Sequence, residues 1–120
     1  MADSGTLATT AQVLLAIGKN GSTAQVLEAN TNIWILMAES DMEVLSKGVG
    51  LVANYGSITA TYKQFLAAVA SHRAAFYGIN QDQDNWSLDT VQSKLNVIDN
   101  IWKDGKRQLN DKDVIAKMGL

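Results

Sequence analysis

The chain has one histidine, His72, and no cysteine. Disulfides, thiolate nucleophiles and cysteine-held metals are therefore excluded. His72 falls among the apolar positions of a helical pattern, where a ring bonded to a neighbour is the ordinary reading. General acid–base work would need an oriented partner that the sequence does not identify. The tightest acidic group in a loop is Asp82, Asp84 and Asp89. A calcium loop counted from Asp82 needs glycine at its sixth position and glutamate at its twelfth, and those positions hold Ser87 and Ser93. Glu39, Asp41 and Glu43 cannot share one helix face, so they do not converge. The stretch GKNGS, residues 18–22, resembles a fragment of a phosphate loop but lacks that motif's first glycine and its preceding strand. No serine stands in a nucleophile elbow. The residues give no catalytic group, no cofactor site and no metal site, and the chain does not read as an enzyme.

The elements that would position side chains are helical. A short helix is predicted from Thr10, its cap, to Ile17, with Gly18 as its stop. The longest pattern runs from Ser22 to Lys47. Ser22 and Gln25 have capping-box spacing, and Gly48 follows the last apolar position. Its core stripe is Val26, Ile33, Met37 and Val44 beside Leu27, Trp34, Ala38 and Leu45. The glycine-rich residues 48–57 read as an ordered loop. A third helix follows Ser57 and reaches Ile79, with Tyr62, Phe65, Val69, His72 and Phe76 on its stripe. Its Ala60, Ala67, Ala70 and Ala74 either admit a close helix or serve simply as good helix formers. Ser87 caps a fourth helix carrying Leu88, Val91, Leu95, Ile98 and Trp102, which Gly105 ends. Asn110 and Asp113 are spaced to open a last short helix with Val114, Ile115 and Met118 on its apolar side. The expected fold is all-α. It is a small bundle of three longer and two short helices, a helical body over residues 1–104 and a C-terminal arm over 105–120, in one domain.

Two helices carry apolar residues outside their core stripes. Ile35 and Met42 lie opposite the stripe of the long helix, and Leu36 is also outside it. Val97 and Ile101 form a second, narrower stripe on the fourth. Such a second face is covered either by another part of the same chain or by a neighbouring subunit. Trp86, in the polar turn 80–87, marks either a packed loop or a partner contact.

Of the 120 residues, 47% are apolar, enough for one core. The net charge of −2 conceals an asymmetry. Residues 1–102 hold five basic and nine acidic side chains, or −4; residues 103–120 hold five basic and three acidic, or +2. A general nucleic-acid binder would show a stronger basic field. The N-terminus has no secretory pattern, and the apolar runs are too short to cross a bilayer.

The stretch TAQVLLAIGKNGSTAQVLEANTNIWILMAES, residues 10–40, resembles the opening of the head–tail connector (adaptor) proteins of tailed phages. Residues 60–80, with AAVASHRAAFYGIN, resemble the helix that follows there. The most specific piece is GKNGSTAQVLEANTNIWIL. The glycine-rich loop 48–56 departs from the family's pattern.

That resemblance implies a non-enzymatic virion protein of the neck, assembled in the host cytoplasm. Such adaptors form twelvefold rings that join portal to tail around the DNA channel. The implied partners are further copies of the chain, the portal and a tail or neck protein, with DNA passing through without specific binding and no membrane involved. On this reading Ile35, Met42, Val97, Ile101 and Trp86 are candidates for the subunit interface. The C-terminal arm would dock on the portal through Lys106, Arg107, Leu109, Val114, Ile115 and Met118. The alternatives are another neck or tail-completion protein (a stopper or terminator) and a monomeric helical protein-binding module.

Overall fold

A computed structural model of the chain describes residues 5–18, 28–46, 48, 50–81 and 88–117. Among these residues the fold is all-α, with no strand: α1 (Thr10–Ile17), α2 (Glu28–Leu45), a single 3-10 turn (Tyr55–Ser57), α3 (Ala60–Gln81), α4 (Leu88–Leu109) and α5 (Lys112–Lys117). The expected caps Ser22 and Ser87, with Gln25, Val26, Leu27, Trp86 and Met118, lie outside the described residues.

Helix α3 is the central element. It packs against α1, α2 and α4, and alanine is what lets them come close. Ala70, Ala74 and Ala75 are fully buried on it, beside Leu66, Val69 and Ile79. Phe65, His72 and Phe76, which the spacing places on the core stripe, are only partly buried. The buried face is thus turned toward the small residues. Among the described residues the core has two clusters. One joins Val13 and Ile17 of α1 to Trp34 and Ile35 of α2 and Ile98 of α4. The other joins Met42, Leu51, Ile58 and Val69 to Trp102 and Leu109.

Several local signals act one or two residues from where the spacing put them. Thr9, not Thr10, caps α1: its side chain accepts from Gln12 N while Gln12 returns a bond to Thr9 N, a full capping box. Gly18 ends that helix as expected, with φ +88°. Helix α3 begins beyond Ser57, with the Thr59 carbonyl receiving Lys63 N. At α5 it is the Asp111 carboxylate that accepts from Asp113 N at 2.9 Å.

Gly105 does not end α4. The helix runs on to Leu109, so the boundary at 104/105 falls inside a helix. The glycine serves packing instead: a Cβ there would lie 2.7 Å from Val69 Cγ2 on α3. Continuation of the helix carries Leu109 onto the same side as Trp102, seven residues earlier, and both are buried.

Candidate functional site

The orientation of α2 is the main departure from the sequence pattern. Ile35 and Met42, candidates for a subunit interface, are fully buried inside the chain. Trp34 and Ala38 are buried with them, whereas Ile33, Leu36, Met37 and Val44 are exposed by 42 to 79%. Part of the expected core stripe therefore faces solvent.

The physical reason lies in the segment before α1. Gly5 lies against the Ile35 side chain, and Leu7 and Ala8 join the cluster that holds Met42. The buried Glu39 secures this strap. Its Oε2 accepts from the backbone N–H groups of Thr6 and Leu7, each at 2.6 Å. Two charge-assisted bonds to one carboxylate supply what burial of that charge requires. Glu43 works in a similar way one turn on, accepting from Gly50 N and Val52 N. These bonds hold the start of the glycine-rich loop, whose Leu51 is buried in the core.

Ile33, Leu36, Met37 and Val44 fall at helical positions i, i+3, i+4 and i+11, so they form one ridge. A shallow hollow of about 440 Å³ lies among Ile33, Leu36, Met37, Ser40, Asp41 and Tyr77. Its polar edge is tightly organised. Asp41 Oδ2 accepts from Arg73 Nε at 3.0 Å and from the Tyr77 hydroxyl. The Arg73 guanidinium carbon is 4.5 Å from the Trp102 ring centre, 4.9 Å from Tyr77 and 5.0 Å from Phe76. Arg73 thus ties α2 to α4 across α3 by an ion pair and ring contacts. Burial, and then the Asp41 hydrogen bond, push the Tyr77 hydroxyl above its usual pKa, against the opposing charge of Arg73. The contacts of Arg73 with Phe76 and Tyr77 follow from their spacing of three and four residues. Its pairing with Asp41 crosses 32 positions and has no local signal.

A second open surface lies between α1 and α3. It is a groove of about 480 Å³ bordered by Leu15, Lys63, Gln64, Ala67, Ala68 and His72, among others. Leu15 is 81% exposed. Lys63 Nζ lies 4.7 Å over the Tyr55 ring. His72 Nδ1 is 2.8 Å from the Ala68 carbonyl, a bond within its own helix that requires the proton on Nδ1.

The other residues singled out in the sequence are dispersed. Val97 is exposed and Ile101 half-buried on α4. Lys106 and Arg107 are exposed, with Arg107 Nη2 bonded to Asp104 Oδ1 at 2.5 Å. Val114 and Ile115 pack partly against the second core cluster. Leu109 is enclosed in that core and has no surface to offer a docking partner. Among the described residues no three His, Asp or Glu side chains come together as a metal site. No described helix is long and apolar enough to cross a membrane. The chain matches no protein-family model, no curated protein and no solved structure.

Proposed function

We propose that the chain is a structural subunit of a homo-oligomeric ring, of the head–tail connector kind, joining portal to tail around a DNA channel. The observation that carries the reading is the ridge of Ile33, Leu36, Met37 and Val44. Four large apolar side chains stand in solvent on one helix face while their neighbours Trp34, Ile35 and Met42 are buried. Contiguous exposure of this kind marks a surface that another protein covers. The resemblance of residues 10–40 and 60–80 to connector proteins supplies the kind of assembly.

The mechanism is geometric. Lateral contacts through α2 close the ring, and no bond is made or broken. The acidic balance of residues 1–102 suits a channel along which a polyanion slides without sticking. Lys106 and Arg107 are exposed near the end of α4, and on this reading they would meet the portal. The test is the mass of the purified protein with and without its cognate portal. A ring in either condition supports the proposal, and a monomer in both overturns it.

A further inference from the structure

The geometry points to the groove between α1 and α3 as the surface that receives the α2 ridge of a second copy of this chain. The inference rests on the ring reading and names the two faces that meet.

Three features of the molecule support this pairing. The first is shape. The ridge is made of large side chains, and the groove has Ala67 and Ala68 along it with Leu15 projecting beside them. Ridges set into grooves are how helices ordinarily pack. From Ile33 to Val44 the ridge spans about 16 Å, and from Gln64 to His72 the groove edge spans about 12 Å, at the rise of an α-helix. The lengths are therefore comparable.

The second feature is placement. Arg73 and Tyr77 mark where α3 meets the ridge side of α2, through Asp41. Gln64, Ala67, Ala68 and Ser71 mark where α3 meets the groove. At the angular step of an α-helix the two sets lie roughly 150° apart around α3. Two different surfaces on nearly opposite sides give a head-to-tail contact, which generates a ring when the rotation closes. A two-fold contact would use one surface against itself.

The third feature is charge. The groove carries Lys63, which makes no ion pair with a described residue. The ridge is flanked by the Glu43 carboxylate, which makes no ion pair with a described residue, and by Asp41, whose charge Arg73 already balances. Opposite signs on the two faces favour ridge against groove and disfavour ridge against ridge.

Cysteine chemistry tests this cleanly, because the chain has no cysteine of its own. Met37 and Ala68 are both exposed, so Met37→Cys and Ala68→Cys leave the core untouched. The full chain carrying both, treated with a short bismaleimide under the conditions that give the assembly, is expected to form a covalent ladder of multimers. Each single variant should remain one chain on a denaturing gel. Ala68→Trp, which fills the groove, is expected to weaken assembly at least tenfold with an unchanged circular dichroism spectrum. An assembly of the right mass that gives no ladder, or that cross-links through Met37→Cys alone, overturns the inference and leaves the ring reading standing. Undiminished assembly of Ala68→Trp also overturns it. A monomer with and without portal overturns both.

Discussion

Removing the Glu39 carboxylate should release the strap formed by residues 5–9. Glu39→Ala leaves the Leu7 N–H without its buried acceptor and the partly buried Thr6 N–H to water. A hydrogen bond to a charged group contributes about 1.5–3 kcal/mol, and a stranded buried donor costs about 1–3 kcal/mol. The Leu7 amide bears that cost in full, and water relieves part of it at Thr6. The expected loss is about 2–4 kcal/mol, a large fraction of the stability of an ordinary domain. Glu39→Gln keeps an oxygen acceptor but no charge, so it should lose about half as much. Urea unfolding monitored by circular dichroism gives the stability, and hydrogen exchange reads the Thr6 and Leu7 amides directly. Both amides should lose protection in Glu39→Ala before the rest of the fold does. Binding of an apolar dye should rise, because the strap covers Ile35 and Met42. A loss below about 0.5 kcal/mol, the range of an ordinary surface change, would refute the reasoning, as would unchanged protection at Leu7.

The two sides of α2 should respond oppositely to charge. Ile35→Asp is expected to unfold the chain, because it puts an unpaired carboxylate in the core. Ile33→Asp should keep the circular dichroism spectrum and melting temperature close to the parent's while reducing assembly by mass. Gly105→Ala sets overpacking against Val69, about 1–3 kcal/mol, against a gain in helix propensity of about 1 kcal/mol. The expected net loss is about 1 kcal/mol in urea unfolding, and Val69→Ala made with it should show favourable coupling in a double-mutant cycle. Tyr77 has its pKa raised above 10.0, so the native state holds the phenolic proton more tightly than the unfolded chain does. The stabilising share is whole below that unfolded value and is lost as pH rises through the native one. Tyrosinate absorbance should therefore show a late component that Tyr77→Phe removes, and stability above pH 10 should fall less steeply in that variant.

Much of the helical order was legible because it rests on local spacing. The stop at Gly18, the burial of Trp34 and Trp102 and the all-α class follow from residues close in sequence. The cap of α1 reads one residue late, at Thr10, although Gln12 stands three residues after Thr9, where a capping box needs it. The orientation of α2 was not. That helix has apolar residues on several sides, so its period alone cannot choose the buried one. The choice is made by the strap, through a carboxylate bonded to amides 32 and 33 positions away. Gly105 misleads for a similar reason. Glycine reads locally as a helix end, yet here the space it leaves is taken by Val69 from another helix. The candidate surface was therefore half legible. The sequence pattern marks α2 as apolar on two sides, and only tertiary contacts decide that Ile33, Met37 and Val44 remain outside.

The central claim is that copies of this chain assemble laterally through the α2 ridge. Its most direct test is the solution mass of the parent chain and of Met37→Asp, each measured with and without the cognate portal. The account predicts a ring for the parent, alone or with portal, and a folded monomer for Met37→Asp in both conditions. A parent chain that stays monomeric in both conditions would contradict it, and so would a Met37→Asp variant that assembles as well as the parent.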